Sequence, residues 1–365
     1  AMTPPAATRS LDDWRGDMLD RRLRSLSEPG VYVEGSPTGT GKSHCDIEPV
    51  RQSAKSLIVV PSHRNCTEVV EMFAAASVIA TAYPQLNRET CANYDEAVQA
   101  IAAGLAASSA VCPGCKHREE CDYQDLLADA DAAAHRVACH QRAVFALDAL
   151  VRGRVYISIH EDCVSVIRPT ATANMGFSAV ARVADGARLH LLDAYESDTA
   201  YFLHRLSEVA TTINARLSDG ESTEPIDLGA TTSAPVGIDA ALFGEMKRSG
   251  ILPPAESMRI AKAAAAGELE SVVLRVDRIF GKGGKTAVKR SVVAVWKRSL
   301  PGGVPIWLND ATADRDELRA IVPDLIDATP AGRLGQHHAP IQCPALDVKK
   351  SSRPSRVCAV LRGLL

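Results

Sequence analysis

The feature that most constrains this chain is a glycine-rich turn set between an apolar run and a predicted helix: Val31-Tyr32-Val33-Glu34-Gly35-Ser36-Pro37-Thr38-Gly39-Thr40-Gly41-Lys42-Ser43. A strand, a glycine loop and a helix opening on Lys-Ser form the context in which a phosphate-binding loop is meaningful. Gly39 and Gly41 let backbone N–H groups turn toward an anion, and the expected helix start at Lys42 adds its dipole. Lys42 would neutralise the β- and γ-phosphates, and the Ser43 hydroxyl would ligate Mg²⁺. Pro37, Thr38, Gly39, Thr40, Gly41, Lys42 and Ser43 are therefore the expected ATP-binding residues. The strict pattern places its first glycine at position 36, where this chain has Ser36, with Gly35 one place early. A chance Gly/Ser/Thr loop is the alternative.

The surrounding pattern agrees with a parallel α/β sheet. Val31–Val33 and Leu57–Val60 are short apolar runs, each followed by a helical pattern, and the sheet rhythm returns at Val155–Ile159. A helix is expected first, with Trp14, Met18, Leu19, Leu23 and Leu26 as its apolar face. Another is expected from Thr67 to Ala76. Residues 178–284 read as mainly helical, and Val292–Trp296 with Pro305–Leu308 reads as a last sheet-like pair. The expected architecture is one α/β domain carrying two insertions.

A second constellation lies in one of those insertions. Cys112-Pro113-Gly114-Cys115 is a tight knuckle, Cys121 follows, and Cys91 lies upstream. In a chain with no visible secretion signal, such clustering reads as metal binding rather than disulfide bonding. Four thiolates can hold Zn²⁺ or a [4Fe-4S] cluster, and spacing alone does not choose between them. Lys116, His117 and Arg118 are expected to lower the thiol pKa values. The alternative is a set of buried free cysteines.

With both motifs in hand, the chain resembles the XPD/DinG iron–sulfur helicases of superfamily two. In that family the loop reads much like Glu34–Ser43, and a strand ending in a nucleic-acid contact follows, similar to Ile58-Val59-Val60-Pro61-Ser62-His63-Arg64. The cysteine insertion comes next, then a strand with a His-containing turn, like Arg136–His140. Motif II falls at Val155–Asp162 and motif III at Ile306–Ala313. The resemblance implies a RecA-like P-loop parallel sheet with an Fe–S cysteine domain and a helical arch-like domain inserted. Its segments would be 1–90 for the first part of the ATPase lobe, 91–135 for the four-cysteine insertion and 136–177 for the motif II part. The arch would be 178–290, the motif III part 291–330, and the start of a second lobe 331–365. It further implies ATP-driven unwinding of DNA, with Lys42, Glu161 and Asp162 catalytic and His63, Arg64 and His140 touching the strand. Asp310, Ala311 and Thr312 would couple nucleotide to nucleic acid.

Two departures qualify that reading. Motif II normally opens with Asp, where this chain has His160; Glu161 is kept and Asp162 replaces alanine. The arginine-bearing motif VI of a second lobe is missing, and Gly332-Arg333-Leu334-Gly335-Gln336 does not match it. The chain therefore reads as a fragment, or as one subunit whose second motor lobe is supplied by another chain. The implied cofactors are ATP, Mg²⁺ and a [4Fe-4S] cluster, with Zn²⁺ as the alternative. The implied partners are single-stranded DNA and duplex junctions.

Composition adds little. A net charge of −3 gives no basic footprint for nucleic acid, though a local groove is compatible with it. The group Lys282, Lys285, Lys289 and Arg290 could bind phosphate or be an exposed hairpin tip. No apolar run approaches membrane-span length, so a cytoplasmic, membrane-free protein is expected. Two rival readings stay open. One is a non-motor, nucleotide-sensing, zinc-stabilised DNA-binding module. The other is a small-molecule P-loop kinase, which leaves the cysteines unexplained.

Overall fold

A computed structural model describes residues 8–191, 197–219, 224–280, 286–331 and 333–334. In chain order the elements begin with β1 (Thr8–Arg9), α1 (Leu11–Ser25), β2 (Val31–Glu34), α2 (Ile47–Gln52), β3 (Ser56–Val60), α3 (His63–Ala75) and β4 (Ala80–Ala82). The cysteine region holds α4 (Tyr94–Ala102), α5 (Ala107–Ala110) and α6 (Asp122–Ala132). Then follow β5 (His135–Cys139), α7 (His140–Val151), β6 (Tyr156–His160), α8 (Cys163–Ile167), β7 (Thr170–Ala173), α9 (Phe177–Leu189) and α10 (Asp198–Asp219). The chain continues through α11 (Ile238–Ser249), α12 (Ala255–Ala266), β8 (Leu269–Phe280), β9 (Thr286–Trp296), β10 (Ile306–Asn309), α13 (Arg315–Ile321), β11 (Ile326–Asp327) and β12 (Arg333–Leu334).

The fold is α/β, and its centre is a seven-stranded sheet in the order β11-β2-β10-β6-β3-β5-β4, parallel throughout. Parallel strands covered on both faces must be apolar on both faces, and β3 is buried along its whole length. Alternation divides the core. Leu57, Val59, Ile157, Ile159, Ile306 and Leu308 face Ala143 and Leu147 of α7 and Val166 of α8. Ile58, Val60, Tyr156 and Trp307 face Val69 and Phe73 of α3. On that second face Tyr32 stacks on Trp307 at 4.9 Å between ring centroids.

A third cluster lies in the inserted segments. Phe177, Val180, Phe202, Leu206, Leu242 and Met258 join Val272, Leu274 and Val292 of a three-stranded antiparallel sheet, β7-β9-β8. Here the sequence reading needs correction. The span 178–284 is not mainly helical to its end, because Leu269–Phe280 is a long strand with buried Val272 and Leu274 alternating with more exposed neighbours. Nor do Val292–Trp296 and Ile306–Leu308 pair: the first belongs to the antiparallel sheet and the second to the parallel one. Ala100, Leu105 and Val111 from the cysteine-bearing region share this third core, so the two inserted segments are packed as one body.

The chain divides into two units. Arg15–Pro330 is one, and the described residues of the other are 8–14, 331 and 333–334, in which Thr8–Arg9 pairs parallel with Arg333–Leu334. Gly332, Gly335, Gln336, and the basic positions Lys282 and Lys285, lie outside the described residues. Lys289 is exposed on β9. Among the described residues, no single helix is long and apolar enough to cross a membrane.

Trp307 is fully buried between α1 and the sheet, where its indole N–H donates to the Ser25 hydroxyl at 3.0 Å. Replacing it with alanine should cost about 3–5 kcal/mol. Urea unfolding of Trp307→Ala against the parent measures this, and a loss under about 1 kcal/mol would mean that the site collapses around the gap.

Candidate functional site

The register of the parallel sheet brings three strand ends side by side at its C-terminal edge: Glu34 opposite Asn309, and Asn309 opposite His160. Ligands of open α/β sheets bind at this edge. The glycine loop leaves it from β2. Gly39 and Gly41 have φ of 85° and 93°, a left-handed conformation that glycine reaches without strain. Among the described residues, the N–H groups of Gly39, Gly41, Lys42 and Ser43 have no hydrogen-bond acceptor. They form an open row of donors. Arg15 Nε braces the loop from outside by donating to the Thr40 carbonyl at 2.9 Å.

The helix expected from Lys42 starts later. His44–Asp46 is a 3-10 turn, and α2 runs only from Ile47 to Gln52. Six residues give a weak dipole, so an anion here would rely on loop N–H groups and Lys42. The Lys42 ammonium is folded onto the Ser36 carbonyl of its own loop. Burial draws its pKa below the usual value, against the opposing pull of Glu34, Asp310 and Glu161. Glu34 is fully buried: one carboxylate oxygen accepts from the Ser36 N–H and hydroxyl, and the other has no hydrogen-bond partner among the described residues.

Beneath the loop lies a polar network that the sequence reading missed. Asp46 is buried and accepts from the Tyr156 hydroxyl at 2.6 Å, the Ser158 hydroxyl at 3.0 Å and His160 Nε2 at 2.7 Å. The Arg22 guanidinium, also fully buried, forms an ion pair with it and reaches the Asn309 side-chain oxygen at 2.5 Å. Asn309 in turn donates to Ser158 at 2.7 Å, and Arg22 lies 4.7 Å from the centre of the Trp307 ring. Burial disfavours both charges, yet their attraction prevails: the carboxyl is held below its usual range and the guanidinium above its own.

This pairing also corrects the register of α1. Its buried stripe is Trp14, Met18, Arg22 and Ser25, while Leu19, Leu23 and Leu26 are only half-buried. The face turns toward the charge partner rather than toward the leucines. Two signals could have pointed here: the alternation Tyr156-Ser158-His160 on an otherwise apolar strand, and an arginine one helical turn from Met18.

The motif II positions divide. His160 ends β6 and turns Nδ1 to the Ser43 hydroxyl at 3.3 Å. Glu161 and Asp162 are exposed and both adopt left-handed backbone, at φ of 57° and 35°. Each such residue stores on the order of 1–3 kcal/mol of strain. Glu161 lies close enough to Lys42 to stabilise its charge. At the turn after β10, where motif III is expected, one oxygen of the buried Asp310 accepts from both the N–H and the hydroxyl of Thr312 at 2.8 Å, closing the turn through Ala311.

The expected nucleic-acid residues also lie beyond the strand ends. His63 Nε2 is 3.5 Å from the Cys139 thiol, whose hydrogen bond raises the imidazole pKa. Arg64 is exposed and pairs with Glu68 at 2.9 Å. His140 Nε2 bonds the His160 carbonyl at 2.7 Å, and burial lowers its pKa, so its ring is engaged inside the protein.

Cys91, Cys112, Cys115 and Cys121 line one cavity of about 200 Å³, together with Arg88, His117 and Arg118. Among the described residues they do not close into a set that could grip a single metal ion. At Cys91 and Cys112 the expected lowering is reversed: burial, reinforced by the other cysteines, raises both thiols. Gln124 lies 3.4 Å from the Cys112 sulfur.

No protein-family model and no curated protein matches the chain. Among solved structures it is similar to one titled XPD helicase, at 11% identity and a TM-score of 0.46 over 87% of this chain and 62% of that one. A truncated XPD gives 10% identity and 0.46, over 85% of this chain and 98% of that one. Xpd4 of S. tokodaii gives 9% and 0.38, over 83% and 58%. The chain thus spans about three-fifths of the first of these.

The buried pair sets a testable pH response. The Asp46 carboxyl is depressed, so its stabilising contribution is present above the ordinary carboxylate pKa of about 4 and is lost as pH falls through the lower folded value. Asp46→Asn should cost about 3–5 kcal/mol at pH 7 by stranding the Arg22 charge. It should also flatten the stability decline below pH ~4. Denaturant titrations across pH 3–7 test both points. An unchanged acid slope in the variant would remove Asp46 from this role.

Proposed function

We propose that this chain is the nucleotide-binding lobe of an ATP-driven, iron–sulfur DNA helicase. The observation that carries the reading is the open row of N–H donors at Gly39, Gly41, Lys42 and Ser43, set beside Lys42 and the strand ends of β2, β10 and β6. Lys42 leaves the Ser36 carbonyl to meet the phosphates, Ser43 holds the metal, and Glu161 or Asp162 orients the attacking water. Hydrolysis on such a site is positioning and charge stabilisation, with no covalent intermediate on the protein. Asp310 and Thr312 form a tight turn close to Lys42, which suits them to transmit nucleotide state.

Single-stranded DNA would cross the same edge of the sheet, past Arg64 and His63. Cys91, Cys112, Cys115 and Cys121 would hold the cluster, and its role would be structural, stiffening 91–135 against the inserted body of helices and antiparallel strands. The segment boundaries given from sequence belong to this proposal, as does a second chain or segment completing the motor.

A second reading is favoured by His160, which stands where hydrolytic relatives carry an acid. In it the chain senses nucleotide and binds DNA without turnover, and its cysteines hold zinc.

Two measurements test these readings, the first their shared nucleotide site and the second the choice between them. Lys42→Ala should weaken ATP binding about ten- to a hundredfold, the loss of a charge-assisted contact of about 1.5–3 kcal/mol. Undiminished binding would place the nucleotide elsewhere. Chain purified without oxygen should carry about four irons and matching sulfide, lost in Cys112→Ser. One zinc without sulfide would support the non-motor reading.

A further inference from the structure

His160 is not a passive occupant of a strand end. Its two ring nitrogens face different partners: Nε2 lies 2.7 Å from Asp46 Oδ2 and 3.1 Å from the Ser158 hydroxyl, and Nδ1 lies 3.3 Å from the Ser43 hydroxyl. Asp46 is held ionised by the buried Arg22 guanidinium, so its oxygens can only accept. In the neutral imidazole the proton must therefore sit on Nε2, and Nδ1 is left with its lone pair turned toward Ser43.

A carboxylate that fixes one imidazole nitrogen while the other is presented to an open site is the arrangement by which proteins orient a histidine metal ligand. The other group beside Nδ1 is the phosphate-loop serine, whose hydroxyl binds the nucleotide's metal in loops of this kind. Two ligands at right angles on an ion with bonds of about 2.1 Å stand about 3 Å apart. The observed 3.3 Å is close to that spacing. His160 is 6% exposed, and Asp46, Arg22, Ser158 and Asn309 are more deeply buried, so the ring is clamped rather than free to swing.

We propose that the nucleotide site takes a nitrogen-accepting, divalent first-row transition ion in preference to Mg²⁺, with His160 Nδ1 and the Ser43 hydroxyl as its two protein ligands. The inference rests on the nucleotide-binding reading given above. Mg²⁺ is a hard cation that selects oxygen ligands in near-ideal octahedra and keeps its waters. An imidazole donor shifts selection toward the transition series, with affinity rising from Mn²⁺ through Fe²⁺ to Co²⁺. The remaining positions belong to phosphate oxygens and water. The buried Asp310 and the exposed Glu161 stand close enough to Lys42 to influence it, and so border the same space. Asp46 is here a positioning residue: it acts on the metal through the imidazole.

The test uses the full chain with ADP. Affinity for the nucleotide should rise from Mg²⁺ to Mn²⁺ to Co²⁺, by about tenfold or more between the ends. Pulsed electron paramagnetic resonance of the Mn²⁺–ADP complex should detect a nitrogen coupled to the metal. His160→Gln, checked by circular dichroism for an intact fold, should lose that nitrogen while still binding ADP. His160→Asp should reduce the spread between Mg²⁺ and Co²⁺ to about twofold, as an oxygen donor replaces the imidazole. Nucleotide bound equally well with Mg²⁺ and Co²⁺, with no nitrogen on the metal, overturns this inference and leaves nucleotide binding standing. Failure of ADP to bind with any of the three metals overturns both.

Discussion

The Arg22–Asp46 pair is the constraint on which the rest of the site depends. Two opposite charges, each almost wholly removed from water, are tolerable only when further hydrogen bonds meet most of their remaining donors and acceptors. Tyr156, Ser158, His160 and Asn309 supply partners to the Asp46 carboxylate and to the two terminal nitrogens of Arg22, and all four project from β6 and β10 toward the same side; among the described residues Arg22 Nε has no partner. A sheet face that is apolar at Ile58, Val60 and Trp307 thus becomes polar beneath the glycine loop. The network ties α1, the turn after the loop and two strands together at the place where the loop must be held. Removing any one of these partners would leave a buried charge short of hydrogen bonds.

That dependence connects scaffold to chemistry. Asp46 lies three residues after Ser43, so the turn that presents the loop's serine is anchored from below by the same carboxylate that orients His160. Moving the turn would move both. The left-handed pair Glu161–Asp162 follows at once, aiming exposed carboxylates over the edge while His160 points inward. The loop is consequently shaped by a rigid floor and an open ceiling, with Lys42 resting on the Ser36 carbonyl between them.

Much of the central sheet is legible in the sequence. Leu57–Val60 and Ile306–Leu308 are apolar on both faces, as a buried parallel strand requires, and Val155–Ile159 carries the same apolar run broken only by Ser158. The loop is legible for the same reason, since Gly39 and Gly41 occupy conformations other residues avoid. The network is not. Asp46 resembles an ordinary residue at a helix start and Arg22 an ordinary surface charge; what buries them is a contact across residues far apart in the chain. The strand Leu269–Phe280 escapes a sequence reading because Glu270, Arg275 and Asp277 break its apolar pattern, and its partner strand lies beyond a hairpin. Clustering suggests the convergence of Cys91 on Cys112, Cys115 and Cys121, whereas the raised pKa values of Cys91 and Cys112 come from burial that the basic neighbours Lys116 to Arg118 do not reveal.

The most direct measurement is backbone hydrogen exchange with and without nucleotide. If the loop and its buried floor form the nucleotide site, protection should rise in peptides covering 35–46, 158–162 and 309–312, and stay unchanged in the helical region 198–219. Protection confined to other segments, or none at saturating nucleotide, would contradict a nucleotide site at this edge of the sheet.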